Sequence, residues 1–105
     1  MRPSILLLLL AIFILTSETK RSEPDLSNKE DLKALGYGKI IEKDQTQITK
    51  IIMEEVNEVA VVYIKDESMH DIAIDKIARI EFNKTKWGPL HISFPNEKPK
   101  IILLH

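Results

Sequence analysis

Ser68, His70 and Asp71 bring the three groups of a hydrolase triad within four residues of one another. A triad needs a carboxylate that orients an imidazole, which in turn reaches a hydroxyl. On a strand, alternate residues share a face. His70 would then face with Ser68 while Asp71 points away. No Gly-x-Ser-x-Gly turn accompanies them, so the spacing predicts a turn and a strand rather than a catalytic site.

His70, His91 and His105, with Asp71 or Asp75, are the residues of types that zinc-like metals favour. They stand far apart, with no H-x-H or H-x-x-x-H pair, and the pattern predicts no metal site. Glu54-Glu55 and Asp66-Glu67 are adjacent pairs, which face opposite ways on a strand. They lack the paired geometry of a glycosidase. No catalytic, cofactor-binding or metal residue is therefore assigned, no cofactor is implied, and the chain reads as a non-enzyme.

Trp87, the single tryptophan, lies in the turn Trp87-Gly88-Pro89. It suits an aromatic anchor for a partner or a cap over the open end of a small barrel; the cap is preferred. Asn83-Lys84-Thr85 is an N-glycosylation sequon, meaningful only in a eukaryotic secretory pathway. Ile and Lys dominate while Ala, Gly and Arg are scarce, which favours an AT-rich bacterial source.

Near the C-terminus, Ile101 and Leu103 face one way, and Ile102 and Leu104 the other. A strand apolar on both faces belongs in the middle of a sheet. Left at an edge, it invites pairing with another chain. The central place is the expected one. The alternative is a contact surface formed by Ile101, Ile102, Leu103 and Leu104, which takes a partner strand or a second copy.

The elements that would position these residues are short. Ser27 to Glu30 matches a capping box, Leu32 and Leu35 share a face, and Gly36 sits where a left-handed cap belongs. The spacing predicts a helix over 28–35. A strand follows over 38–43. Residues 44–57 are ambiguous. Ile48, Ile51, Ile52, Val56 and Val59 fall at helical spacing, yet the segment is rich in β-branched residues, which favour a pleat. Strand is preferred, with turns at Asp44-Gln45 and Asn57-Glu58. Further strands are expected over 59–65, 69–74, 79–83, 90–94 and 100–104. Asp66-Glu67-Ser68 makes a turn and residues 75–78 a single turn. Two prolines, Pro95 and Pro99, bound the last loop, where a missing N–H does least harm.

Five to seven short strands with one short helix predict a mainly β chain, with α+β as the variant. The expected form is a small SH3-like barrel or a curled antiparallel sheet. The succession of strand, Lys-Asp-Glu-Ser turn, strand, single turn and short strand has the rhythm of such barrels.

The first residues concern address. Met1 and Arg2 precede an apolar run from Ile5 to Leu15, and Thr16 and Ser17 close it before the chain turns polar. This is the layout of a secretory signal. It is too short for a spanning helix, which needs ~20 apolar residues. The reading is a signal peptide over 1–17 with cleavage between 17 and 22, a flexible leader over 18–27, and one small β-rich domain over 28–105. Lys20-Arg21 could be a dibasic processing site but reads more simply as two solvated charges. After cleavage no integral membrane span is expected, and the protein would be periplasmic or secreted.

The chain has no cysteine. It can carry neither a lipid-bearing thiol nor a disulfide framework, so about 85 residues must fold on an apolar core alone. Charge is nearly balanced, with 15 basic and 16 acidic side chains. Nucleic-acid binding lacks its basic footprint. The combined reading is a small exported, non-enzymatic binding or accessory domain acting through protein–protein contacts. Its partner would be a protein or an envelope component, and a homo-oligomer through the C-terminal strand is a further expectation. The alternative is an exported carrier of an apolar ligand, which requires a cavity.

Overall fold

A computed structural model describes residues 23–95 and 98–104. The expected signal peptide over 1–17, its expected cleavage site and residues 18–22 of the expected leader lie outside the described residues, as does His105.

The described chain is mainly β. One helix, α1 (Lys29–Ala34), precedes seven strands: β1 (Gly38–Glu42), β2 (Gln47–Val56), β3 (Ala60–Lys65), β4 (Ser68–Ala73), β5 (Ile77–Phe82), β6 (Leu90–Ser93) and β7 (Lys100–Leu103). A single 3₁₀ turn, Ile74–Lys76, joins β4 to β5. All pairings are antiparallel, and the strands form one sheet in the order β4-β3-β2-β1-β5-β6-β7. Of the two forms expected, the open, curled sheet is the one found. The strand, turn, strand, single turn, strand rhythm is present as β3 to β5.

The helix starts one residue later than the capping-box reading placed it. Asn28, not Ser27, is the N-cap: its Oδ1 accepts from the Glu30 and Asp31 amides at 2.8 and 3.1 Å. Both residue types cap well, but only Asn28 is one step from the first helical residue. Ser27 turns back, and its N–H and hydroxyl both donate to Asp25 Oδ1. The Asp31 carboxylate accepts from the Asp25 amide at 2.8 Å. Residues 23–27, read from composition as the end of a flexible leader, are thus tied to the helix. Pro24 is buried and Leu26 packs against the core. Gly36 has φ +74°, the left-handed cap expected of it. Two residues on, a side chain at Gly38 would collide with the Phe82 ring, so glycine lets β1 approach that ring closely.

The ambiguous stretch is the long strand β2. Lys50 has φ 57°, and the register against β1 shifts from Ile40↔Ile48 to Gly38↔Ile51 across it. A second shift falls between Met53 and Glu55 in the pairing with β3. These bulges bend the strand. The half before Lys50 pairs only with β1, and the half after Ile51 pairs with β3, which curls the sheet.

The core combines both elements. Leu32 of α1 and its C-cap residue Leu35 are fully buried with Ile51, Met53, Val61, Ile77, Ile80, Phe82, Leu90 and Ile92. Lys29 Nζ lies 4.0 Å from Glu54 Oε2, linking helix and β2 bulge at the surface.

The C-terminal strand departs from expectation. It is not slotted into the middle of the sheet; β7 is an edge strand, paired only with β6. The reason is topological. The chain runs down one side of β1 as β2 to β4, crosses to the other side as β5, and adds β6 and β7 outward, so the last strand lands at the rim.

Candidate functional site

Among the described residues the sheet has two open edges, and they differ in chemistry. On β4, five of six residues are exposed. Residues 66–75 carry four carboxylates and no lysine or arginine. A short, charged edge of this kind discourages pairing. Residues 98–104, Lys-Pro-Lys-Ile-Ile-Leu-Leu, carry two lysines, no acid and four consecutive large aliphatics.

The register explains what β7 leaves open. On the core side, Ile80 pairs with Ile92 and Ile92 with Ile101; Phe82 pairs with Leu90 and Leu90 with Leu103. The first two members of each row are buried, while Ile101 and Leu103 are only half-buried. The apolar layer therefore reaches the rim unfinished. On the outer side, Ile102 is 41% exposed and Leu104 38%. The Leu104 N–H donates to the Pro89 carbonyl at 2.9 Å. Backbone groups alternate in direction along a strand. Ile102 therefore also turns its N–H and C=O toward β6, and Ile101 and Leu103 turn theirs to the open edge.

Beside this edge, the outer row Lys39, Glu81, His91 and Ile102 runs across β1, β5, β6 and β7. Glu81 is its hub. Arg79 Nε donates to Glu81 Oε2 at 2.7 Å, Lys39 Nζ lies 3.9 Å from Oε1, and His91 Nε2 lies 3.8 Å from Oε2. Arg79 and Lys39 thus flank one carboxylate, and Lys100 stands in the next row, across Ser93 from Arg79.

Two surface clefts flank the start of β7. One of about 660 Å³ lies between residues 23–27 and Pro99 to Ile101. The other, about 360 Å³, is lined by Leu26, Val56, Asn57 and Pro99 among others. Both open to the surface beside Leu26.

The remaining sequence candidates are dispersed. His70 pairs across β3–β4 with Tyr63 and stacks on it at 5.4 Å between ring centroids. Asp71, paired with Val62, lies on the opposite face from His70 and Ser68. Burial, followed by the charges of Glu42 and Asp71, pushes the Tyr63 hydroxyl above its ordinary range. His91, on β6, is separated from β4 by four strands. Among the described residues, no three His, Cys, Asp or Glu side chains gather where a metal could sit. Trp87 is half-buried against the core, with Lys86 Nζ 4.9 Å from its ring centroid. Thr85 fixes that turn, donating to the Gly88 carbonyl and accepting from the Trp87 amide. Asn83 is exposed just beyond β5. Of the residues singled out for partner contact, Ile101, Ile102, Leu103 and Leu104 follow one another along the edge, and the Leu104 N–H to Pro89 carbonyl bond sets the Trp87-Gly88-Pro89 turn beside its end. The Glu81 hub was missed. Only the cross-strand register assembles it, and no local motif marks it.

No protein-family model, curated protein or solved structure matches this chain.

Proposed function

We propose that this chain is a small exported, non-enzymatic binding or accessory domain that works by strand addition at β7. The observation carrying the reading is the mismatch between that strand and its place. Ile101 to Leu104 have the composition of a central strand, yet they sit at a rim with Ile102 and Leu104 exposed. An extended partner segment would complete the half-buried core row, meet the outward N–H and C=O groups of Ile101 and Leu103, and cover the outer aliphatics. Export rests on the layout of residues 1–17.

The test is site-specific photo-crosslinking in cells. A photoreactive residue at position 102 is expected to give discrete protein adducts, whereas one at Met69, exposed on β4, gives none. Absence of adducts from 102, or equal labelling from both edges, rejects the proposal. N-terminal sequencing of the protein from the exported fraction is expected to place the new terminus between residues 17 and 22.

A further inference from the structure

We infer that the partner strand at β7 is the β7 of a second copy, the two strands running antiparallel about a two-fold axis at Ile102. This rests on the strand-addition reading and specifies its occupant. Three observations select it.

The first is the match of faces. Antiparallel addition of a second copy's β4 would turn that copy's core face to the outer side. A two-fold axis perpendicular to the sheet brings β7 against β7 with both core faces on one side and both outer faces on the other. Ile101 then lies opposite Leu103 of the second copy, and Leu103 opposite its Ile101. The two half-buried rows of one copy are finished by those of the other.

The second is the backbone. Ile101 and Leu103 direct their N–H and C=O groups outward, as the Leu104 to Pro89 bond requires. In the register about Ile102 these two residues form the hydrogen-bonded pairs. Ile102 faces its own copy as a non-hydrogen-bonded pair, where side chains come closest. Pro99, which has no N–H, falls outside the ladder.

The third is charge. Lys100 meets Leu104 of the second copy, and the two Lys100 side chains stand at opposite ends of the ladder. Four residues of rise keep them roughly 13 Å apart, beyond the ~8–10 Å screening length of physiological salt. Parallel pairing would set them side by side at about 5 Å, where like charges oppose association. The four carboxylates in and beside β4 have no counterpart over residues 101–104, where the charges of β7 stop at Lys100.

The experiment uses the absence of cysteine. In Ile102→Cys the only thiols of a dimer lie directly across the two-fold. Their Cα atoms would be about 4.5 Å apart, within disulfide reach. Mild oxidation is expected to give a covalent dimer of Ile102→Cys and none of Met69→Cys. Sedimentation of the unmodified protein is expected to show a concentration-dependent monomer–dimer equilibrium. Ile102→Glu, which places two carboxylates face to face, is expected to weaken the dimer on the order of a hundredfold. Its circular dichroism should stay near that of the parent, since residue 102 is on the outer face, and its unfolding midpoint should match that of the parent at concentrations where the parent is monomeric and fall below it where the parent is dimeric.

A protein that stays monomeric to about 1 mM, or cross-linking as efficient from Met69→Cys, overturns self-pairing. In that event, photo-adducts from position 102 with a different protein would leave strand addition standing. Loss of those adducts as well would remove both readings.

Discussion

The tightest turn of the structure gives its most quantitative test. Asp66 and Glu67 join β3 to β4, with Lys65 and Ser68 directly paired, and both turn residues have positive φ, 53° and 66°. Two left-handed residues in succession make a type I′ hairpin, whose favoured sequence is Asn-Gly rather than Asp-Glu. An L-residue with a full side chain loses about 1–2 kcal/mol in this conformation. Glycine removes that loss but adds unfolded-chain entropy of about 0.5–1 kcal/mol. Glu67 is exposed, and among the described residues none hydrogen-bonds or ion-pairs with its side chain. Glu67→Gly should therefore stabilise the protein by about 0.75 kcal/mol net, the difference between the middles of those two ranges. For a domain of this size that corresponds to a midpoint higher by roughly 2–8 °C. Urea and thermal unfolding of Glu67→Gly and Glu67→Gln separate the backbone effect from the removal of a charge beside Asp66. If Glu67→Gly is no more stable than Glu67→Gln, the left-handed pair is absent. The Lys65↔Ser68 register of the outermost hairpin then falls with it.

Other perturbations read other parts of the fold. Gly38→Ala forces a methyl group into the Phe82 ring, and overpacking of this kind costs about 1–3 kcal/mol; unfolding that matches the parent would deny the close approach. Asn28→Ala should cost ~1 kcal/mol through loss of the helix cap, and more than Ser27→Ala. The reverse order of midpoints would return the cap to Ser27. The Tyr63 hydroxyl titrates above its unfolded value of about 10. Its contribution is fully present below that pH and is lost as pH rises from there through the higher folded value, because the unfolded chain ionises first. Stability measured between about pH 9 and 11 should fall more gently in Tyr63→Phe than in the parent; identical slopes would show that burial does not hold the phenol neutral.

Local chemistry made much of the fold legible. The glycine cap at Gly36, the turns at Asp44-Gln45 and Asn57-Glu58, and the alternating apolar strands each follow from a residue's own conformational preference. Asn57 shows why: its Oδ1 accepts from the Val59 and Ala60 amides, a bond an asparagine makes with neighbours close in sequence. The segment 44–57 was opaque for a definite reason. Ile48, Ile51, Met53 and Val56 all face the core, but a bulge stands between Ile48 and Ile51 and another between Met53 and Val56. Each bulge inserts one residue and turns a spacing of two into three. A doubly bulged strand thus imitates a helix in its apolar period. Neither bulge carries a glycine: the left-handed residue is Lys50, whose type gives no signal. The Glu81 hub was hidden likewise, since it depends on three non-local pairings.

The misplacement of β7 has the same root and a different consequence. Apolar alternation reports how much a strand is to be covered, and it is silent about which chain covers it. Ile101 to Leu104 demand two covered faces and a neighbour on each side. Among the described residues the order of strands grants one neighbour, β6, and half-buries one face. Two explanations would reconcile demand with supply. Either the aliphatic run is incidental, and the open strand is a liability left unprotected beside an acidic, well-guarded β4, or the missing neighbour comes from another chain. The contrast between the two edges of the same sheet favours the second. Charged residues run the length of one rim, whereas on the other they stop at Lys100 and leave residues 101–104 uncharged, and that second rim is the one whose core row is incomplete. A central-strand sequence at an edge is thus best read as the central strand of a larger sheet.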